Sequence, residues 1–219
     1  MSSMTKIRAL LTRAQREETN IKLRLAFGNR ETVDGFIIGT GRKWALLAAT
    51  MTGGFFDGYV AVRLKEIERA RPNRSWEARF SRTRPEWPPR PPADRPAIDL
   101  DTTSGMLATL LDPDALVGME RRKKYSALWV GVPYALTRHW LSLWEVDATA
   151  VWHERPLGYR PRTIALVRIG DHYLRGLAAI AGDRPPQDLP YGWAARSKHA
   201  RRESQRQEAQ PLAETISAE

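Results

Sequence analysis

Residues 33–49 read VDGFIIGTGRKWALLAA, and this stretch decides the fold. Its first part, 33–38, carries the β-branched and aromatic residues that favour a strand. Gly39 and Gly41 tolerate positive φ, so a tight turn is predicted over residues 39–42. A second apolar run, 44–49, predicts the returning strand. The stretch therefore predicts a β-hairpin.

Further elements are predicted on both sides of this hairpin. Before it, apolar residues at helical spacing predict a helix over 5–18, and alternating apolar and basic residues predict a strand over 21–25. After it, alternation over 60–64 predicts a fourth strand, and Ile67 begins a short fifth. Five short strands leave exposed edges if they lie flat, so we expect them to curl into a small barrel.

The second half of the chain repeats this order of elements. A shift of 96 residues matches Gly35 with Gly131, Arg42 with Arg138 and Trp44 with Trp140, and a shift of 97 matches Ile67 with Ile164. Helices are predicted over 102–111 and 171–180, with five strands between them. Asp171 is the predicted cap of the second helix, and Tyr173 is expected on its inward face. Trp140 is expected to lie in a strand and in the core. The predicted fold class is mainly β with flanking helices (β + α), built as two tandem five-stranded small barrels.

Composition divides the chain into four predicted parts. Residues 1–84 hold the first helix, barrel and trailing helix, and residues 97–182 hold the second set. Between them, 85–96 contains six prolines and no periodicity, which indicates an extended linker. Residues 183–219 are polar with no apolar stripe, which predicts a disordered tail.

A helix followed by five short strands resembles the Sm-like fold, an SH3-like small barrel found in Sm proteins and in the bacterial RNA chaperone Hfq. The resemblance rests on residues 33–47 and on Gly58-Tyr59 through Ile67-Glu68-Arg69, and it extends more loosely over 102–170. Trp87-Pro88-Pro89 resembles the linker of uncharacterised bacterial proteins with two such units. The resemblance implies the architecture and no activity. It does not supply the binding residues, because Gly39-Thr40-Gly41-Arg42-Lys43 replaces the loop with which Sm proteins read uridines.

The composition of the chain indicates which class of partner and which cellular compartment to expect. The net charge of +10 lies in the first half: residues 1–95 hold 19 Lys and Arg against 10 Asp and Glu, and residues 96–182 hold 10 against 9. A polyanion would therefore be expected to meet the first half. The chain has no cysteine and no apolar run long enough for a membrane span, so we expect a cytoplasmic protein that does not contact a membrane.

No catalytic motif was found in the chain. Its four histidines, His139, His153, His172 and His199, form no HExxH, and no GxSxG, GxGxxG or GxxxxGK[ST] occurs. We therefore expect a binding protein that is not an enzyme and needs neither a cofactor nor a metal ion.

The basic residues of the first half are the best candidates for function. On a small barrel, the loop after the second strand and the ends of the late strands would lie near one another, where arginine and lysine donors would grip phosphates and Tyr59 would stack on bases. The candidate nucleic-acid contacts are Arg42, Lys43, Arg63, Lys65, Arg69, Arg71, Arg74 and Tyr59. A solvated basic face with no partner is the alternative.

A second hypothesis is a protein-interaction module with no nucleic-acid binding. In it the two barrels act as a rigid platform, and Trp152, close to Pro156 and Gly158, is the candidate anchor for a protein partner. Packing of Trp152 in the core is the alternative at this position. The sequence supports no particular oligomeric state.

Overall fold

The structure is a computed structural model that describes residues 3–27, 32–92, 97–122 and 127–184. Within these ranges the chain forms ten strands and four α-helices. They are α1 (Ser3–Arg16), β1 (Asn20–Leu25), β2 (Thr32–Thr40), β3 (Trp44–Thr50), β4 (Phe56–Arg63), β5 (Ile67–Pro72), α2 (Trp76–Ser81), α3 (Thr103–Leu110), β6 (Val117–Arg121), β7 (Trp129–Leu136), β8 (Leu141–Glu145), β9 (Leu157–Tyr159), β10 (Ile164–Ile169) and α4 (His172–Ala181). The fold is mainly β with a few helices, as predicted.

The predicted hairpin is present as β2 and β3. Phe36 pairs with Ala48 and Ile37 pairs with Leu47, and the register then shifts by one residue before Gly39. A Cβ at Gly35 would lie 2.4 Å from the carbonyl oxygen of Ala48, so only glycine allows the two strands to approach this closely. The turn is shorter than predicted, because β2 continues to Thr40.

All ten strands belong to one antiparallel sheet in the order β5-β1-β2-β3-β4-β10-β6-β7-β8-β9. The two halves share the same internal order, since 5-1-2-3-4 in the first half corresponds to 10-6-7-8-9 in the second. The sheet is open, with β5 and β9 at its edges, so two separate closed barrels are not confirmed. We expected each half to remove its exposed edges by curling into a barrel. Instead, β4 of the first half pairs with β10 of the second half, so one edge strand of each half is covered by the other.

The hydrophobic cores extend across this junction. Ala165 and Leu166 of β10 pack in the cluster beneath α1, together with Leu11, Leu23 and residues of β2 to β4. In the other direction, the buried side chains of Trp44, Leu46 and Ala61 pack with α3 and the second half of the sheet. The division into 1–84 and 97–182 stays a prediction, and apolar side chains of the two parts share these clusters.

Helices cover parts of the sheet much as their patterns predict. The stripe of α1 is confirmed by the burial of Ile7, Leu11 and Ala14. Helix α4 begins at a capping residue, because the carboxylate of Asp171 accepts a hydrogen bond of 2.8 Å from the backbone N–H of Leu174. Tyr173 was expected to face inward, but it is exposed, because the buried face of α4 is made by Leu174 and Leu177.

The predicted linker is described as far as Pro92. Trp87 precedes a cis peptide bond to Pro88, and its ring packs edge-on against Phe36 with centroids 4.9 Å apart. This part of the linker therefore lies against the sheet. The predicted tail falls outside the described residues from Pro185 onward. Among the helices described, none has the length and apolar character needed to cross a membrane.

Two glycines with the same φ test the junction of β4 with β10. Gly58 and Gly170 both have φ of +65°, but a Cβ at Gly58 would lie 2.3 Å from the carbonyl oxygen of Ile169, whereas Gly170 faces open space. We expect Gly170→Ala to lower the free energy of unfolding by about 1 kcal/mol, which is the cost of the left-handed conformation, and Gly58→Ala by about 3 kcal/mol. Urea unfolding followed by circular dichroism measures both. Equal losses would show that the junction tolerates the methyl group.

Candidate nucleic-acid interface

Two turns that are distant in sequence meet at one end of the first half. The β2–β3 turn and the 3-10 turn Leu64–Glu66 are joined by a hydrogen bond of 2.9 Å from the N–H of Leu64 to the carbonyl of Lys43. They form a cavity of about 340 Å³, which we call the first loop pocket. Its lining residues are Met4, Arg8, Arg42, Lys43, Arg63, Leu64 and Lys65. The structure thus brings together four of the eight predicted contacts.

Positive charge is concentrated around the first loop pocket. Loss of solvation beside the neighbouring protein atoms lowers the pKa of the Lys65 ammonium, and the nearby charges of Arg122 and Arg63 lower it further. Arg122 comes from the end of β6 in the second half, and its Nε lies 2.6 Å from a carboxylate oxygen of the buried Glu66. Arg42, Lys43 and Lys65 are exposed. Three exposed cations therefore lie on two adjacent turns, and lysine and arginine side chains are the groups that neutralise the phosphates of a nucleic acid.

Arg8 of α1 is a member of this pocket that sequence reasoning missed. Its guanidinium donates to the carbonyl of Gly41 at 2.8 Å and also to the carbonyl of Arg42. These bonds hold the β2–β3 turn in place, so Arg8 acts as a positioning residue. The helical stripe predicted only the buried side of α1, and nothing in the sequence indicated which exposed residue would reach the turn.

The chain segment that leads into α3 covers part of the β2–β3 turn. The carbonyl of Leu100 accepts hydrogen bonds from the N–H groups of Lys43 and Trp44, at 3.2 and 3.0 Å. Asp101 accepts a hydrogen bond of 2.7 Å from the N–H of Arg42 and forms an ion pair of 3.3 Å with its guanidinium. A Cβ at Gly41 would lie 2.4 Å from the carbonyl carbon of Leu100, so this glycine is required by the covering segment.

Trp44 and Arg63 are buried, and both side chains contact Thr103 at the end of this covering segment. The Trp44 indole is fully buried, and its N–H donates to the hydroxyl of Thr103 at 3.2 Å. The guanidinium of Arg63 lies over this indole at 5.0 Å and donates to Thr103 and to the carbonyl of Pro161. Arg63 is buried and donates to groups of the protein itself, so its guanidinium is not available to a ligand at the surface.

A second loop pocket lies at the equivalent place in the second half. It has a volume of about 390 Å³ and is lined by Thr137, Arg138, His139, Trp140, Arg160, Pro161 and Arg162. The shifts of 96 and 97 residues match Arg138 with Arg42, Arg160 with Arg63 and Arg162 with Lys65. Sequence reasoning missed this pocket, because the second half is nearly neutral overall. The signal was present in the repeat, which already matched Arg138 and Trp140 with their counterparts.

The main difference between the pockets is the exposure of the tryptophan. Trp140 was predicted to lie in a strand and in the core, but β8 begins one residue later and the indole is 44% exposed. The guanidinium of Arg160 lies over it at 5.3 Å. The hydroxyl of Thr137 fixes the turn by accepting a hydrogen bond of 3.0 Å from the N–H of Trp140. The second pocket therefore presents an accessible aromatic ring among cations, which the first does not.

The remaining predicted contacts lie elsewhere. Arg69 and Arg71 lie on the outer face of β5, and Arg74 is exposed ahead of α2. The hydroxyl of Tyr59 donates to the carbonyl of Arg90 at 2.9 Å, and burial raises the pKa of this phenol. Tyr59 is thus held by the linker at the β4–β10 junction, outside both loop pockets.

Trp152, the predicted partner anchor, is half-buried. Its indole N–H donates to the carbonyl of Ala181 at 3.0 Å, at the end of α4. It lines a groove of about 680 Å³ beside α4, which also includes Leu116, Val132 and Leu174. The structure assigns no partner to this groove, and the role of Trp152 stays a prediction.

The described ranges contain no group of three or more His, Asp or Glu side chains placed to hold a metal ion. The closest acid–histidine contact there is His172, whose Nδ1 lies 2.8 Å from a carboxylate oxygen of Asp57. No family model, curated protein or solved structure matches the chain significantly. The geometry of the two loop pockets is therefore the basis for a functional proposal.

The difference between the two tryptophans is open to a fluorescence test. Because Trp140 is exposed and Trp44 is fully buried, Trp140→Phe is expected to remove emission that acrylamide quenches readily, while Trp44→Phe removes emission that acrylamide barely reaches. Steady-state quenching of both variants against the unmodified protein measures this. If both substitutions reduced the quenchable fraction equally, the covering segment would not be seated on Trp44 in solution.

Proposed function

We propose that this protein is a non-enzymatic cytoplasmic protein that binds single-stranded nucleic acid, RNA above all, through its two loop pockets. The observation that carries the proposal is the recurrence of basic side chains at three equivalent positions of the two halves, where Arg42, Arg63 and Lys65 correspond to Arg138, Arg160 and Arg162. A set of basic side chains that recurs on the same turns of a repeat is more simply explained by one shared ligand than by a generally basic surface.

The chemistry of the pockets fits a flexible strand better than a duplex. Arg42, Lys43 and Lys65 would meet phosphates at the first pocket, as Arg138 and Arg162 would at the second. Trp140 and the Arg160 guanidinium offer flat surfaces on which an unpaired base would stack. Bases in a duplex are already stacked on one another and cannot reach such a surface.

The architecture supports a finer proposal about each half. In each, a helix precedes five antiparallel strands, and a 3-10 turn separates the last two strands of the sequence. This order supports the resemblance to Sm-like units. We propose that the chain contains two such units, which share one sheet through β4 and β10.

One observation favours the alternative of a protein-interaction module. The groove beside α4 is larger than either loop pocket, and its floor contains the apolar side chains of Leu116, Val132 and Leu174. A protein partner would use this groove and the ring of Trp152. Nucleic acid would not, since the loop pockets lie on turns formed by other residues.

Removal of paired cations at either pocket tests the proposal. Binding of a fluorescent oligouridylate is expected to weaken as the salt concentration rises. The double variant Arg42→Ala/Lys43→Ala is expected to lose about tenfold or more in affinity. Its slope of log K against log salt is expected to be smaller by about 1.4, because each phosphate contact on a single strand contributes about 0.7. The double variant Arg138→Ala/Arg162→Ala is expected to show the same loss of affinity and the same decrease in slope.

The matched control is Arg16→Ala with Arg79→Ala, which removes two exposed arginines from helices outside both pockets. It is expected to bind as the unmodified protein does. Fluorescence anisotropy over a salt series measures all four proteins. Undetectable binding at low salt, or equal losses in the control, would overturn the proposal in favour of the protein-interaction module.

Base stacking at Trp140 is tested separately from charge. Trp140→Ala is expected to weaken binding of an oligouridylate by about 5- to 150-fold, because stacking on an aromatic ring contributes roughly 1–3 kcal/mol per base. An abasic strand of equal length should bind both proteins equally. Trp76→Ala is the control, because Trp76 is also exposed but lies on α2. Equal affinity of Trp140→Ala and the unmodified protein for the oligouridylate would show that the pocket contacts phosphate alone.

A further inference from the structure

The outer face of β1 and β5 carries a second arrangement of cations, separate from the loop pockets. Ile21, Leu23 and Leu25 of β1 point into the core, so Lys22 and Arg24 point outward. The register of the two antiparallel strands places Arg71 opposite Lys22 and Arg69 opposite Arg24. Four cationic side chains thus lie side by side on two strands.

This arrangement is unfavourable by itself, because like charges directly opposite each other on neighbouring strands repel. Two carboxylates offset part of the repulsion: Asp34 lies 3.1 Å from the Lys22 ammonium, and Glu68 lies 2.8 Å from the Arg24 guanidinium. Within the described ranges, Arg69 and Arg71 form no ion pair. The face therefore keeps an excess of positive charge on an edge strand.

The four cations surround a cleft suited in size and donors to a small anion. The cleft has a volume of about 160 Å³ and is lined by Lys22, Arg24, Thr32, Arg69 and Arg71. Among the described residues, its lining contains ammonium, guanidinium and hydroxyl donors and no carboxylate. The Nε of Arg24 is buried and has no hydrogen-bond partner in the described part of the chain. An oxyanion in the cleft would supply an acceptor for this guanidinium.

We propose that the cleft between β1 and β5 is a phosphate-binding site, independent of the loop pockets. Guanidinium groups bind phosphate oxygens in pairs of parallel hydrogen bonds, which favours a tetrahedral oxyanion over chloride. The phosphate is either that of a free phosphorylated small molecule or that of a nucleic-acid backbone, and the chemistry of the cleft is the same for both. The site remains in place if the loop pockets bind nothing.

The competing explanation is protection of the sheet edge. Charged side chains and proline discourage edge strands from pairing with other chains, and β5 carries Arg69, Arg71 and Pro72. This role needs no ligand. It predicts no preference for phosphate over chloride, which separates it from the proposal by experiment.

Thermal unfolding in phosphate and in chloride, at equal ionic strength and pH, tests the site. In about 10 mM inorganic phosphate the Tm is expected to rise by roughly 2–4 °C above its value in chloride, because phosphate binds only the folded protein. Arg69→Ala with Arg71→Ala is expected to remove this rise. The variant should fold well, since it relieves repulsion, and its Tm in chloride is expected to equal or exceed that of the unmodified protein.

The control variant is again Arg16→Ala with Arg79→Ala, which is expected to keep the full rise. Phosphate stabilises many proteins by exclusion from their surface, so an equal rise in all three proteins would overturn the site. The ³¹P line of inorganic phosphate should broaden with the unmodified protein and stay sharp with Arg69→Ala/Arg71→Ala. The absence of broadening with either protein would overturn the site as well.

The source of the phosphate is distinguished with a mononucleotide and an oligouridylate as ligands. If nucleic acid is the source, Arg69→Ala with Arg71→Ala weakens oligouridylate binding and lowers its salt dependence, in addition to any loss at the loop pockets. If a free phosphorylated molecule is the source, the variant loses the mononucleotide and keeps the oligouridylate. Since the thermal test uses no polymer, failure of the proposed nucleic-acid binding leaves its result unaffected.

Discussion

The pairing of β4 with β10 is the contact on which the rest of the structure depends. It places Val60, Ala61 and Val62 of the first half beside Leu166 to Arg168 of the second. The hydrogen bonds between these strands satisfy backbone N–H and C=O groups that would otherwise be exposed at two sheet edges. Because this pairing joins two sheets of the same internal order, the two halves become one sheet and share their cores. The short β9 and the charged, proline-ended β5 are left as the outer edges.

The repeat places equivalent turns at equivalent positions, but the surroundings of those turns differ. The chain passes from the first half to the second by way of residues 97–103, and this passage lies over Trp44 and binds Arg42 through Asp101. Over the described residues, nothing corresponding lies on Trp140. One tryptophan–arginine pair has therefore become part of the core, while its counterpart is accessible to a ligand. Equivalent residues thus differ in exposure because the segment that connects the two halves packs against only one of them.

Three surfaces with different chemistry carry clusters of positive charge. The first loop pocket offers exposed cations alone, and the second adds an aromatic ring to its cations. The cleft between β1 and β5 sets guanidinium groups opposite one another on a rigid sheet. The net charge of the chain does not distinguish these surfaces. Exposed turns fit a flexible single-stranded nucleic acid, whereas a small cleft fits one compact anion. Local geometry therefore carries more information about ligands than the total charge does.

The sequence by itself determined the elements: the hairpin of 33–49, the stripe of α1, the repeat and the cap of α4 by Asp171 follow from local periodicity and side-chain chemistry. Tertiary structure alone decided that the halves join into an open sheet, because edge pairing depends on a strand about 100 residues away along the chain. It also decided the site: it buried Arg63, exposed Trp140, brought Arg8 to the turn and separated Arg69 and Arg71 from Arg42. Those outcomes depend on which segments pack against each side chain, and periodicity reports only which face of an element is buried.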